Sequence, residues 1–308
     1  MKIAVFGAGG IGGYYGARLA AAGHDVAFIA RGAHLAALKD RGLKVLSAVG
    51  DLHLTTVTAT ADPADVGPVD VVLFTTKLWD TEAGAKACAA LLGPDTVVIS
   101  LQNGVDAESI LVAALGRGHV AGGTTYILSL IKEPGVIAHT GTLARLVFGE
   151  LDGGPSARLE AFAQACRDAG VEVELSDDIQ RDLWIKFTLL ASHSGVTALT
   201  RLPTGPILNE PETRDLLRDG LEEAVAVGRA VGIALPDDLA ARHMAFLAER
   251  PPDFGSSMLH DLGQGRRLEL PWLSGTVVRL GRDRGVPTPV HRAIFAALKP
   301  YALGAPTP

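Results

Sequence analysis

The feature that most constrains the fold of this chain is a glycine-rich turn between a short apolar strand and a helix. Residues 2–6 (KIAVF) are apolar and partly β-branched, as in a buried parallel strand, and a helical pattern follows from Ile11 to Ala22. The turn fits G-x-G-x-x-G, in which glycines permit a tight bend and close approach to a pyrophosphate, and the helix N-terminus favours the phosphate charge. The alternative is a glycine-rich turn without a ligand. The residues of this predicted dinucleotide-binding turn are Gly7, Ala8, Gly9, Gly10, Ile11 and Gly12.

Strand and helix patterns alternate over the first 176 residues. Apolar strands at 25–30, 69–76 and 96–101 are interleaved with helical segments, which is typical of βαβ units. Residues 122–150, with a turn at Glu133-Pro134-Gly135, predict a hairpin-like extension of the sheet, followed by a helix (156–169) and a strand (171–175). Only helical patterns remain beyond this point, over about 178–200, 211–231, 237–249, 256–268, 273–284 and 288–302. We predict an α/β fold, with a Rossmann-type doubly wound domain over 1–176 and an all-helical domain over 177–308.

The composition argues against several classes of protein. The net charge of −6 gives no reason to expect nucleic acid or an anionic membrane as a partner. No apolar run approaches the roughly 18 residues of a membrane span, and no secretory signal is recognisable, so we expect a soluble, cytoplasmic protein. The two cysteines, Cys88 and Cys166, lie in alanine-rich helical segments and read as buried free thiols. Neither has a neighbour at zinc-binding spacing, so no metal site is expected.

The end of the second strand indicates which cofactor the turn would bind. A site specific for NAD usually has an acidic residue there, which holds the ribose 2′-hydroxyl. This strand ends in Phe28-Ile29-Ala30-Arg31, without an acid. A guanidinium suits a 2′-phosphate through charge-assisted bonds, so the sequence predicts NADPH. The alternative is that Arg31 is a solvated charge at a strand end.

Two further strand ends carry polar residues. They are Thr75-Thr76-Lys77 and Gln102-Asn103-Gly104. Ligands of open α/β sheets bind at the carboxyl ends of the strands, so both segments are candidates for a ligand site. Each is also compatible with an ordinary loop, since Asn-Gly is a common turn.

Two charged residues of the helical half stand in apolar surroundings. Lys186 follows Trp184 in a mostly apolar helix, where burial without a partner would be costly, although its ammonium could also extend to the surface. By helical period, Lys186 shares a face with Leu190, His193, Ser194 and Thr197. His193 alone is more often a packed histidine than a catalyst. Glu269 precedes the apolar segment 270–273, so a buried carboxylate with a partner is plausible.

Taken together, these motifs resemble the ketopantoate reductase family over essentially the whole chain. The segments that carry the resemblance are GAGGIGGYYGARLA, FIAR, TTK, LQNG, the WxK of the helical half, SSMLHDLGQGRRLEL and GVPTPVH. Their order and spacing are specific, whereas G-x-G-x-x-G alone is not. The resemblance implies hydride transfer from NADPH to the keto carbon of a 2-keto acid, with ketopantoate as the leading substrate.

The resemblance also implies roles for individual residues. Lys186 would be the general acid and would stabilise the developing alkoxide. Glu269 would hold the cofactor and help orient the lysine, and Ser257 would bind the substrate carboxylate. Asn103 would lie where nicotinamide and substrate meet, with Lys77 beside the cofactor phosphates or ribose. Further substrate contacts would come from Ser194 and Thr204.

The chain departs from the family pattern at two positions. Family members usually carry asparagines four and eight residues after the lysine, where this chain has Leu190 and Ser194. Leu190 cannot form a hydrogen bond, so a second hypothesis is a reductase of another, more apolar 2-keto acid, with His193 as a possible replacement donor. A third is an NADP-binding sensor without catalysis, against which the joint presence of Lys186, Ser257 and Glu269 argues. The expected partner is the small substrate, and the resemblance allows monomers and homodimers.

Overall fold

A computed structural model describes residues 1–305 of the chain. By its internal contacts the chain divides into two compact units, Met1–Asp182 and Leu183–Pro308. The last strand of the first unit ends at Leu175 and a long helix begins at Ile179. The change from strands to helices therefore falls beside residue 176, where the sequence suggests a boundary, while the division by contacts falls a turn into the helix.

The first unit contains one mixed β-sheet of ten strands. Its strands are β1 (Lys2–Phe6), β2 (Asp25–Ile29), β3 (Leu43–Ser47), β4 (Leu52–Leu54), β5 (Thr58–Thr60), β6 (Val69–Phe74), β7 (Leu92–Ser100), β8 (Val120–Glu133), β9 (Val136–Glu150) and β10 (Glu172–Leu175). Its α-helices are α1 (Gly10–Ala21), α2 (Gly32–Arg41), α3 (Thr81–Cys88), α4 (Ala107–Leu115) and α5 (Ala157–Asp168). The strand order is β4-β3-β9-β8-β7-β6-β1-β2-β5, and β10 pairs with β9.

Helices cover both faces of the parallel part of this sheet, as predicted for a doubly wound fold. On one face Tyr15 and Leu19 of α1 join a core with Val5 and Phe28. On the other face Leu111 of α4 joins a second core, together with Cys88 at the end of α3. The crossovers leave β1 and β6 in opposite directions, so the topological switch point lies between these two strands. A ligand crevice is expected at the carboxyl end of such a point.

The predicted hairpin over 122–150 is confirmed. β8 and β9 pair antiparallel from Ala121↔Glu150 to Glu133↔Val136, with Gly135 at a positive φ of 83° in the turn. The sequence analysis did not identify β3, β4, β5 or α2. β3 pairs in parallel with β9, almost a hundred residues further along the chain, so no local pattern reveals the partner that stabilises it.

The second unit is helical throughout its described part, as predicted. Its helices are α6 (Ile179–Thr200, which begins in the first unit), α7 (Thr204–Asn209), α8 (Pro211–Ala230), α9 (Leu239–Ala248), α10 (Ser257–Gly263), α11 (Ser274–Arg284) and α12 (Pro289–Leu298). The short helix α7 was not predicted. The prediction of one helix over 256–268 was wrong at its end. After Gly263 the chain passes through Gly265 at φ 61°, and the Leu268 amide donates to the Ala302 carbonyl at 3.0 Å instead of continuing a helix.

Candidate active site

Four parallel strands end side by side at the carboxyl edge of the sheet. Phe6 of β1 is in register with Ile29 of β2 on one side and Phe74 of β6 on the other, and Phe74 is in register with Ser100 of β7. The residues that follow these strand ends include every polar segment that the sequence selected in this half. The sheet therefore brings the glycine turn, Arg31, Lys77 and Asn103 to the same edge.

The glycine turn is shaped to receive a phosphate. Gly7 has a φ of 106°, a conformation that favours glycine, and Gly9 is the N-cap of α1. A Cβ placed on Gly9 would meet no atom within 4 Å, so the backbone amides there are approachable from outside. Helix α1 adds the partial positive charge of its N-terminus. These observations fit the pyrophosphate of a dinucleotide.

Thr75, at the end of β6, holds this turn in place. Its hydroxyl donates to the Gly7 carbonyl at 2.5 Å, and its backbone amide donates to the Phe6 carbonyl at 2.9 Å. A Cβ on Gly12 would collide with the Thr75 hydroxyl and the Gly7 carbonyl, so the third glycine is required by packing. From the sequence, Thr75 could be recognised only as part of a strand end, because its contact with Gly7 depends on the adjacency of β1 and β6.

Arg31 and Lys77 are both exposed at the carboxyl edge. Arg31 is the N-cap residue of α2, two positions beyond the end of β2. Lys77 follows β6, and its ammonium lies 5.6 Å from the centre of the Trp79 ring. Asn103 is half-buried beyond β7. All three residues follow strands that end at this edge of the sheet.

Lys186 and Glu269 form a charge pair in the second unit. Lys186 lies on α6 and is partly exposed, whereas Glu269, which precedes the short 3₁₀ turn Leu270–Trp272, is only 8% exposed. Burial lowers the pKa of Lys186 to about 8, and the negative charge of Glu269 opposes this shift. The lysine is therefore protonated at neutral pH yet more acidic than an ordinary lysine, which suits proton donation.

His193 is engaged in a buried network and is not an open donor. Its ring stacks on Phe254, with centroids 5.4 Å apart, and its Nε2 lies 2.8 Å from the Thr204 hydroxyl. That hydroxyl donates to the Phe254 carbonyl at 2.6 Å, so His193 must donate to it. Burial lowers the pKa of His193 to about 4, so the ring is neutral. Thr204 is left with one lone pair for any further contact.

The other predicted substrate residues differ in exposure. Ser194 is almost fully buried on α6, and Ser257, the first residue of α10, is exposed. Leu190 is half-buried one helical turn beyond Lys186. Helix α10 is fixed at its start by Ser256, whose hydroxyl accepts from the Leu259 amide at 3.0 Å and lies 2.7 Å from the Thr197 hydroxyl.

Two kinds of feature are absent from residues 1–305. No group of three or more His, Cys, Asp or Glu side chains in this part of the chain is arranged to hold a metal ion. None of its helices is long and apolar enough to span a membrane. The two cysteines are buried and free, as predicted.

The glycine turn at the carboxyl edge and the lysine–glutamate pair are features expected of an oxidoreductase that acts on a CH–OH group with a nicotinamide dinucleotide. The comparisons with known proteins agree with this class and narrow it. Residues 3–153 match the family model of ketopantoate reductase PanE/ApbA, and residues 178–302 match the model of its C-terminal domain. The chain belongs to the ketopantoate reductase family.

Individual relatives match over nearly their whole length. A 2-dehydropantoate 2-reductase of Archaeoglobus fulgidus is 35% identical, over 96% of this chain and 95% of that protein. The crystal structure of a PanE/ApbA family ketopantoate reductase from Ralstonia eutropha is 36% identical, covers 98% of both chains and superposes with a TM-score of 0.90. D-mandelate dehydrogenase, solved with NADH and anilino(oxo)acetate, has a TM-score of 0.89 over 98% of both chains at 21% identity, a likeness of fold.

Proposed function

We propose that the chain catalyses the NADPH-dependent reduction of 2-dehydropantoate to pantoate, a step of pantothenate biosynthesis. The proposal rests on the lowered pKa of Lys186, which interacts with the buried carboxylate of Glu269 in a chain of the ketopantoate reductase family. The reaction adds a hydride to the keto carbon and a proton to the keto oxygen. Its product is a 2-hydroxy acid.

The cofactor is assigned to the carboxyl edge of the first unit. The six residues of the glycine turn would bind the pyrophosphate through backbone amides. Lys77 would lie beside the cofactor phosphates or ribose, and Asn103 where nicotinamide and substrate meet. Arg31 favours NADPH over NADH because an exposed guanidinium at the N-cap of α2 can bind a 2′-phosphate, and the first turn of that helix contains no acid to repel it. When bound, the reduced nicotinamide supplies the hydride.

The proton is assigned to Lys186. As negative charge develops on the keto oxygen, the Nζ ammonium stabilises it and then donates a proton to it. An amine with a pKa of about 8 loses that proton more readily than an ordinary lysine and remains mostly protonated at pH 7. Glu269 keeps the ammonium charged and holds its orientation, and we also assign it a contact with the cofactor.

Substrate recognition is assigned to short polar side chains. The Ser257 hydroxyl is exposed at the start of α10 and would bind the substrate carboxylate. Asn103, Ser194 and Thr204 would contact the remaining polar groups. The Thr204 hydroxyl could only accept a hydrogen bond from the substrate, because it donates its own proton to the Phe254 carbonyl.

A second candidate function keeps the reaction and changes the substrate to a more apolar 2-keto acid. Leu190 supports it, because a half-buried leucine one turn from Lys186 offers no hydrogen bond to a substrate hydroxyl. His193 does not supply a substitute in this arrangement, because its Nε2 proton is donated to Thr204. A lost hydrogen bond of this kind costs about 1–3 kcal/mol in preference.

One assay separates these functions. The purified protein is mixed with NADPH and a panel of 2-keto acids, and the loss of NADPH absorbance is followed. The proposal expects ketopantoate to give the highest kcat/KM, a more apolar acid as best substrate supports the second candidate, and no consumption with any acid contradicts both. Lys186→Ala should lower kcat by orders of magnitude with NADPH binding retained, whereas the control Lys299→Ala, at an exposed lysine, should not.

For location and assembly, we propose a cytoplasmic enzyme that forms a homodimer through apolar helices of the second unit. The two buried, free cysteines suit a reducing compartment. Sedimentation at micromolar concentration tests the assembly, and a monomer would contradict it.

A further inference from the structure

The side chain of Gln102 joins the two strand ends that carry Lys77 and Asn103. It follows β7 directly before Asn103 and is 5% exposed. Its Nε2 lies 2.9 Å from the Thr76 carbonyl, the residue before Lys77, and 3.0 Å from the Thr81 hydroxyl. A buried amide in this position ties the end of β7 to the end of β6.

The contacts fix which way round the amide lies. The Thr76 carbonyl can only accept, so the atom that faces it must be the NH₂ group. Thr81 donates its own hydroxyl proton to the Leu78 carbonyl at 2.8 Å, and can therefore accept the second proton of Gln102. Both protons of the NH₂ group therefore meet an acceptor. The Thr81 hydroxyl also lies 3.3 Å from Gln102 Oε1, a longer contact than its 2.8 Å bond to the Leu78 carbonyl.

These two acceptors bracket the segment that holds Lys77. Thr76 precedes the lysine, and Thr81 begins α3 after the short 3₁₀ turn Leu78–Asp80. Within the segment the Asp80 amide donates to the Lys77 carbonyl at 2.9 Å and Leu78 is 3% exposed, so the segment has a defined local shape that the Gln102 amide joins to β7. Removing the amide would leave a buried carbonyl without this donor and would free both ends of the segment to shift.

We propose that Gln102 is a positioning residue, whose buried amide sets the place of Lys77 relative to Asn103 and so the affinity for the cofactor. This inference rests on the proposed function, in which both residues contact the cofactor. In this role Gln102 need not contact the cofactor itself, since its side chain is buried. It acts through the backbone of the 76–81 segment.

The test compares three variants by NADPH fluorescence titration, thermal unfolding and kcat/KM. Gln102→Met keeps the approximate volume without a donor. Gln102→Glu replaces the NH₂ group by an oxygen that donates only when the carboxyl is protonated. The control, Thr96→Val, removes a buried hydroxyl in the middle of β7, away from the carboxyl edge, where Thr96 donates to the Val69 carbonyl at 2.5 Å.

We expect Gln102→Met to raise the Kd for NADPH about tenfold or more, while Thr96→Val lowers the midpoint of unfolding with Kd within about twofold of the parent value. Gln102→Glu should be impaired at pH 8 and recover toward the parent as the pH falls, a rescue that a role in stability alone does not give. The proposal is overturned if Gln102→Met binds NADPH with the Kd of the parent, or if Thr96→Val raises Kd as much as Gln102→Met does. It is also overturned if the NADPH affinity of Gln102→Glu does not recover as the pH falls.

Two further results keep the test decisive. If Gln102→Met does not fold, Thr81→Val removes one acceptor of the amide and should raise Kd in the same direction, and an unchanged Kd there overturns the proposal. Binding is measured without a keto acid, so it does not depend on turnover. A parent protein that binds NADPH but reduces no keto acid refutes the proposed function and leaves the positioning role to be judged by Kd.

Discussion

Two opposing effects set the pKa of the Lys186 ammonium. Burial favours the neutral amine and lowers its pKa to about 8, and the charge of Glu269 limits that fall. Below this pH the lysine carries the proton that it would donate in the proposed reduction. We therefore expect kcat/KM for reduction to be level at lower pH and to decline as the pH rises through about 8.

Removal of the Glu269 charge should move that decline. In Glu269→Gln the ammonium loses the partner that raises its pKa, so the pKa of Lys186 should fall further and the loss of activity should begin at lower pH. A shift of about one unit would lower kcat/KM about fivefold at pH 8, since fewer molecules carry the proton. The pH profile of kcat/KM measures it. Glu222→Gln, at an exposed glutamate of α8, is the control, and coincident profiles for all three proteins would refute the pairing.

Arg31 is expected to choose between the two nicotinamide cofactors. Arg31→Ala should lower kcat/KM with NADPH by about tenfold to a hundredfold and leave kcat/KM with NADH nearly unchanged. The reason is that only NADPH carries a 2′-phosphate, which loses its charge-assisted bond in the variant. Parallel assays with both cofactors measure the ratio. Arg41→Ala, at the last residue of α2, is the control for charge alone. An unchanged ratio in Arg31→Ala would show that the guanidinium does not recognise the phosphate.

At the scale of elements, two glycines of the β1–α1 segment have different roles. Gly9 faces open space, so Gly9→Ala should fold normally but bind NADPH weakly, since the methyl group would stand where the phosphate approaches. Gly12 is closed in by Gly7, Thr75 and Val5, so Gly12→Ala should destabilise the fold itself by about 1–3 kcal/mol. Thermal unfolding without ligand and NADPH titration separate the two effects. Equal losses of stability in both variants would contradict this division.

The β1–α1 segment also shows which parts of the structure could be predicted from the sequence. The turn of residues 7–12 combines a strand, a fixed glycine spacing and a helix in one local segment, and β1 was predicted with its observed bounds. β3 lacks such a signal, because it is stabilised by pairing with β9 far along the chain. The candidate site follows the same rule. Lys77 and Asn103 could be selected as strand ends, but the link between them through Gln102 depends on β6 and β7 being neighbours.

Some buried polar residues were missed for a related reason. Glu108 lies in the first turn of α4, where an acidic residue normally faces solvent and helps the helix dipole. In the structure it is 5% exposed, near Ser100 at the end of β7, and burial raises its pKa to about 7. The only sequence signal for the burial of Glu108 was its position three residues before Leu111, which places the two residues on the same face of α4, toward the sheet.

At the scale of the whole molecule, the most strongly shifted buried histidines and the buried glutamate Glu108 should contribute opposite pH dependences to stability. The second unit buries three neutral histidines, His193, His243 and His291, and burial lowers the pKa of each to about 4. Between pH 6.5 and 4 the unfolded chain binds protons that the folded unit does not, so stability falls as the pH falls. Glu108 in the first unit acts the other way. Between pH 4.5 and 7 the folded protein keeps a proton that the unfolded chain has lost, so its contribution falls as the pH rises.

Glu108→Gln separates these two terms, because glutamine keeps the volume and the polarity of the protonated acid but does not titrate. The free energy of unfolding of the parent should fall relative to that of Glu108→Gln as the pH rises from 4.5 to 7, by up to about 3 kcal/mol for a pKa shift of this size. The loss below pH 6.5 should persist in both proteins, since it arises from the histidines. Denaturant unfolding across this range measures both terms, with the exposed Glu160→Gln as control. A constant difference between the parent and Glu108→Gln would mean that the buried carboxyl is ionised throughout, and that its cost is met by a partner at the end of β7.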